Sequence, residues 1–156
     1  MIDLRPGDAA PPFEGITTEG KRVALEDFAG RKLVLYFYPK DDTPGCTKQA
    51  CSLRDGHERI LARGAAVLGV STQDVASHDA FTRKFGLNFP LLADTDGRVG
   101  RAYGTLGGDG GLLSKLRSAL GLARRMTFII DEQGRIAHVI DKPDVARHAE
   151  EVLALL

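Results

Sequence analysis

Two short apolar runs bracket a helix-patterned stretch, and this arrangement limits the folds open to the chain more than any other feature. Lys32–Tyr38 is aromatic and β-branched enough for a buried strand, stopped by Pro39. Ala65–Ser71 (AAVLGVS) reads as a second buried strand. Between them Ala50, Leu53, Ile60 and Leu61 recur with helical spacing, and Gly64 fits a C-terminal cap. A strand, a helix and a strand joined by short connections give a right-handed βαβ unit with parallel strands.

The pattern continues downstream. A helix is expected over about Val75 to Phe85, with Phe81 and Phe85 stacked one turn apart and Gly86 ending it. Pro90–Ala93 reads as a short strand. Thr127–Ile130 and Arg135–Ile140 flank Asp131-Glu132-Gln133-Gly134 as an antiparallel hairpin. A last helix over about Val145 to Leu156 would put Val145, Ala149, Val152, Leu153 and Leu156 on one stripe. The expectation is an α/β domain with a mixed central sheet and helices on both faces.

Composition narrows the function. The 156 residues suit one domain, residues 1–156, with a core of its own. Lys+Arg and Asp+Glu are both 21, so no electrostatic pull toward nucleic acid is expected. The longest apolar run, Leu33 to Tyr38, is far too short to span a membrane. Met1-Ile2-Asp3-Leu4-Arg5-Pro6 has an early acid and no apolar run, so no secretory signal is expected and the default compartment is a reducing cytoplasm. There, two cysteines point to redox or metal chemistry rather than to a permanent staple.

Chemistry concentrates between Pro39 and Cys51, where a buried strand ends and a helix begins; ligands of open α/β sheets bind at such strand ends. Thr43 suits the N-cap and Pro44 the first helical position, which places Cys46 in the first turn. Unpaired N–H groups and the helix dipole favour a thiolate there, so a lowered Cys46 pKa is expected. Full ionisation gains only about thirty-fold over a free thiol, so fast thiol chemistry also needs donors aimed at the reacting atoms. Thr43 Oγ is one candidate, and an arginine from elsewhere in the chain is a second. Cys51 lies five positions after Cys46. On a straight helix that spacing is about 140° around, with Cα atoms roughly 8–9 Å apart, whereas a disulfide needs less than about 7 Å. The two thiols therefore pair only if the first turns unwind: a redox switch, helical when reduced and locally unfolded when oxidised. Taken alone, Cys51 reads as a small buried hydrophobe. Cys46, after Thr-Pro-Gly in a polar loop, does not.

Pro39, Thr43 and Cys46 match P-x-x-x-T-x-x-C, and the segment resembles the active-site pattern of the peroxiredoxins. FYPKDDTPGCTKQACSLRD resembles the bacterioferritin comigratory protein or PrxQ-type subfamily, whose members often carry a resolving cysteine five positions after the first, as Cys51 stands here. LGVSTQDVASHDAFTRKFGLNFPLLAD and RMTFIIDEQGRI extend the similarity over most of the chain. The resemblance implies a thioredoxin-like fold and thiol-dependent reduction of hydrogen peroxide and organic hydroperoxides, with no metal, flavin or haem. It implies that Cys46 attacks the peroxide and becomes a sulfenic acid, and that Thr43 and Arg125 bind the peroxide and orient the thiolate. Pro39 would shield the intermediate, and Cys51 would condense with it to a disulfide that thioredoxin or a similar dithiol reduces. An intramolecular resolving cysteine leads us to expect a monomer.

Residues 104–124 depart from the subfamily pattern in length. They form a Gly-rich stretch followed by a basic amphipathic segment in which Leu112, Leu113, Leu116, Ala119, Leu120 and Ala123 share one face. Packing of that face on the domain is expected; a dimer surface, a docking site, a lid or a membrane contact are the sharper readings. His57, His78, His138 and His148 lack metal-ligand spacing and are expected on surfaces or helix faces. Asp41 and Asp42 are expected to be solvated loop acids. Rival functions are a thioredoxin-type oxidoreductase, which lacks its C-x-x-C here, a non-catalytic thioredoxin-fold adaptor, and a peroxide-sensing thiol relay.

Overall fold

The computed structural model describes residues 4–107 and 112–156, and within the helix after the Gly-rich stretch it leaves the side chains of Leu113, Ser114 and Ser118 aside. Gly108–Gly111 of that stretch and Leu113 of the amphipathic face thus lie outside the described residues. The βαβ unit forms as the pattern predicts: β3 (Lys32–Phe37), α1 (Pro44–Ala62) and β4 (Ala65–Ser71), with β3 and β4 parallel. Pro44 opens α1, and Gly64 follows its end at φ 77°, a left-handed conformation that a side chain would strain.

A short hairpin, β1 (Glu14–Thr17) and β2 (Arg22–Ala24), precedes this unit. After it come α2 (Val75–Phe85), β5 (Leu91–Ala93), α3 (Arg98–Ala102), α4 (Leu112–Ala119), β6 (Met126–Ile130), β7 (Ile136–Ile140) and α5 (His148–Leu153). The seven strands form one mixed sheet in the order β2-β1-β5-β4-β3-β6-β7. Strand β3 lies inside the sheet between β4 and β6, and the alternation of this strand and the residue after it divides the core. Leu33, Leu35 and Phe37 pack with Phe13, Val99 and Tyr103, while Val34, Tyr36 and Tyr38 pack with Cys46, Ala50 and Leu53 of α1 and Val152 of α5. Gly69 on β4 lets the Tyr36 ring lie across the strand, because a Cβ there would stand 2.8 Å from that ring.

Several expectations are corrected. Leu61 is 44% exposed, so the buried stripe of α1 ends at Ile60. Helix α5 begins at His148, which leaves Val145 in the preceding turn. Among the described residues of the amphipathic segment, Leu112 and Leu116 of α4 and Leu120 just after it do not pack on the domain, being 85%, 55% and 64% exposed. The tethers lie at the end of this segment, where Thr72 Oγ1 donates to the Gly121 carbonyl, Arg124 N–H donates to Thr105 O (2.8 Å) and Ala123 enters the core. No helix among the described residues is long and apolar enough to cross a membrane.

Candidate active site

Antiparallel pairing of β3 with β6 sets Phe37 opposite Met126. The end of β3, which leads into α1, therefore lies beside the start of β6, and Arg125 stands next to the first turn of α1. Its guanidinium works as a fork: Nη2 donates to Cys46 Sγ at 3.3 Å and Nη1 to Gln49 Oε1 at 2.6 Å. Cys46 and Gln49 are three positions apart, hence on one face of α1. Gly45 makes room, since a Cβ there would lie 3.2 Å from Nη2. Arg124, one residue earlier, turns away to Asp141 (2.9 Å) and the Met126 sulfur (3.0 Å).

Cys46 is the third residue of α1 and 2% exposed. The first helical bond runs from Thr47 N–H to Thr43 C=O (2.8 Å), so the Gly45 and Cys46 N–H groups belong to the turn that has no intrahelical acceptors. Guanidinium and helix start both present positive potential to the sulfur. Thr43 has the extended backbone of an N-cap, but its side chain does not cap the helix. The hydroxyl donates to Lys40 O at 2.9 Å. That bond occupies the hydroxyl hydrogen and leaves the Oγ1 lone pairs free to accept. Pro39 is half-buried at the head of the loop, its carbonyl 3.4 Å from Gln73 Nε2.

Cys51 is half-buried in the next turns of the same unbroken helix, and both thiols are free. Just beyond it α1 is pinned: Ser52 Oγ accepts the Ala149 N–H (3.0 Å), Arg54 Nη1 donates to Phe85 O (2.6 Å), and Gly56 meets Ala149 so closely that a Cβ would lie 2.6 Å from Ala149 Cβ.

Two groups beside Cys46 escaped the sequence reading. The Gln49 side chain is buried, with Nε2 unpartnered among the described residues. The Tyr36 hydroxyl is also buried and without a partner among the described residues. Burial first, then negative charge at Cys46 and Asp41, pushes this phenol well above its ordinary pKa. Gln49 was findable from its i+3 spacing to Cys46. Tyr36 looked like one more core aromatic.

His57, His78 and His148 lie on helices, one of the two expected settings, but face inward and are buried, and one of the two loop acids departs from expectation. His148 sits behind Thr127, with Nε2 2.8 Å from Thr127 Oγ1 and Nδ1 2.9 Å from Glu151 Oε1; burial lowers its pKa despite Glu151. Asp41 is 7% exposed and bonded to His78, so it is not a solvated loop acid, whereas Asp42 stays exposed and pairs with Lys84. Among the described residues no group of three or more His, Cys, Asp and Glu side chains could hold a metal.

The profile of the AhpC/TSA family matches residues 6–139. A relative from Coxiella burnetii is 41% identical over 155 residues, 99% of this chain and 100% of its own. Peroxiredoxin Bcp of Escherichia coli K12 is 39% identical over 153 residues, 98% of this chain and 96% of its own. Among solved structures, a cysteine variant of PrxQ from Xylella fastidiosa superposes with a TM-score of 0.87 at 30% identity, covering 99% of this chain and 96% of that one. The bacterioferritin comigratory protein of Xanthomonas campestris, described for its alkyl peroxide reduction, gives 0.80 at 32%, covering 99% and 94%.

Proposed function

Because the chain belongs to the AhpC/TSA family and is, with its Bcp and PrxQ relatives, a thiol-dependent peroxidase of thioredoxin fold, we propose that Cys46 is the peroxide-attacking thiol and Cys51 its resolving partner. The observation that carries this reading is the Arg125 fork, which holds a cation on Cys46 Sγ at the start of a helix.

The Cys46 thiolate attacks the nearer oxygen of a hydroperoxide, and the O–O bond breaks. The sulfur is oxidised to sulfenic acid and the distal oxygen leaves as an alcohol, or as water when the substrate is hydrogen peroxide. Arg125 stabilises the charge that moves along the S–O–O line. Thr43 Oγ1 accepts the peroxide O–H and orients it, and Pro39 covers the site from the loop side. Cys51 then attacks the sulfenic sulfur; an S–S bond forms and water leaves with the sulfenic oxygen. Since α1 keeps the thiols apart, residues 44–51 unwind in this step while the helix stays anchored from Ser52 onward.

Hydrogen peroxide and organic hydroperoxides are the substrates of this reading. Thioredoxin or a similar dithiol returns the disulfide to two thiols, a monomer suffices for the cycle, and the compartment is a reducing cytoplasm. Amide exchange tests the unwinding: protection of residues 44–51 should drop in the oxidised protein, and equal protection in the two redox states would contradict the mechanism.

A further inference from the structure

Asp41, in the loop between β3 and α1, is bonded through both carboxylate oxygens and its backbone N–H. Its Oδ1 accepts from the Tyr38 hydroxyl at 2.7 Å. Its Oδ2 accepts from the Ser77 hydroxyl at 2.8 Å and faces His78 Nδ1 at 2.6 Å. Its N–H donates to Gln73 Oε1 at 3.0 Å. His78 is fully buried, and its other nitrogen, Nε2, lies 3.1 Å from the Leu92 carbonyl. A carbonyl only accepts, so Nε2 carries a hydrogen. The 2.6 Å contact of Nδ1 with a carboxylate needs a second one. The pair is thus joined by its own proton and neutral overall, which is how a buried acid and base coexist. Burial pushes the Asp41 carboxyl up, but the hydrogen bond and charge of His78, helped by Tyr38 and Ser77, hold it below the ordinary range.

One loop residue is in this way fastened to Tyr38 just past β3, to α2 and to the segment after β4, and through His78 to β5. The next residue, Asp42, has φ 58°, a left-handed conformation unfavourable for a non-glycine residue, and it is held from α2 by Lys84 at 2.8 Å. Thr43 and the first turn of α1 follow directly. The chain that must unwind for Cys46 to reach Cys51 is therefore fixed at two ends, at Asp41 and at Ser52.

We propose that Asp41 and His78 are positioning residues: their buried pair latches the loop that starts α1 and sets how long the Cys46 sulfenic acid persists before Cys51 reaches it. This rests on the mechanism proposed above and adds the element that times it. A closed latch favours peroxide attack in the wound helix. It also exposes the sulfenic acid to a second hydroperoxide, which converts Cys–SOH to Cys–SO₂H and leaves an alcohol or water. A weakened latch speeds disulfide formation at the expense of that second oxidation.

The experiment cycles the protein with a dithiol in a peroxide series and reads, by intact mass, the peroxide concentration that converts half of Cys46 to sulfinic acid. Hydrogen bonds to charged groups are strong enough that His78→Leu should raise this concentration about tenfold or more. Ser77→Ala, which removes one donor, should raise it a few-fold. His78→Asn, whose amide keeps a donor to Asp41, should stay close to the parent. Unchanged half-points in His78→Leu and Ser77→Ala, with melting temperatures lowered, would reduce the pair to a structural role and overturn the latch. If His78→Leu does not fold, Ser77→Ala decides alone, because it leaves the buried pair intact. A parent that forms no Cys46–Cys51 disulfide overturns the underlying mechanism and the latch with it.

Discussion

Replacing Gly45 with alanine places a methyl carbon 3.2 Å from Nη2 of Arg125. That guanidinium cannot yield freely, because Nη1 is fixed on Gln49 at 2.6 Å and Nη2 already lies 3.3 Å from the sulfur. A retreat of a few tenths of an ångström stretches the contact with Cys46. A hydrogen bond to a charged group contributes about 1.5–3 kcal/mol, so losing a third to a half of it costs about 1 kcal/mol, or about fivefold in rate. The same change should stabilise the fold, because alanine in a helix is better than glycine by about 0.5–1 kcal/mol, or about 1–4 °C for a chain of this size. Gly45→Ala thus separates the two effects: the second-order rate constant with hydrogen peroxide falls about fivefold while the melting temperature holds or rises. Competition with a haem peroxidase for limiting peroxide measures the first, and a thermal scan the second. A variant as fast as the parent would refute the claim that the Arg125 contact with Cys46 is tuned by the missing side chain.

Other consequences follow from the same geometry. Arg125→Lys replaces a planar fork by a point charge that cannot serve Gln49 and Cys46 together, and the rate constant should fall about 10–100-fold in the same competition assay. Gln49→Leu leaves Arg125 charged but unguided; about fivefold is expected from one lost hydrogen bond of about 1 kcal/mol, with Gln49→Glu restoring most of it by supplying an acceptor. His148 is held neutral by burial, below its ordinary value of about 6.5. The unfolded chain therefore binds the proton first, and stability present above about pH 6.5 is lost as the pH falls through that value toward the folded pKa. The melting temperature should drop with acidification across this range, and His148→Asn should flatten the drop.

Elements governed by local periodicity were legible in the sequence. The βαβ unit, α2 and the β6–β7 hairpin fall within a residue or two of their expected bounds, because apolar runs and glycine or proline stops act locally. The β1–β2 hairpin was not, since its strands are four and three residues long and only partly buried. Helix α4 was visible as a helix, but which way its leucines face depends on the tethers at Gly121 and Arg124, which no periodicity records. Within the candidate site, the resemblance of the P-x-x-x-T-x-x-C segment pointed to Pro39, Thr43 and Cys46, and that of RMTFIIDEQGRI to Arg125. Asp41 looked like one of two adjacent solvated acids because its partner His78 is 37 residues away. Thr43 was expected to direct its hydroxyl at the reacting atoms; in this structure the hydroxyl donates to the Lys40 carbonyl, a partner that no spacing reveals.

The central claim is that two cysteines on one helix divide the chemistry, Cys46 meeting the peroxide and Cys51 resolving it. Intact mass after one equivalent of hydrogen peroxide tests this most directly, on the reduced parent and on Cys51→Ser. The account predicts that the parent loses two hydrogens through a Cys46–Cys51 disulfide, while the variant gains one oxygen located at Cys46. A parent that gains oxygen without forming the disulfide, or a variant whose Cys46 stays unmodified, would contradict it.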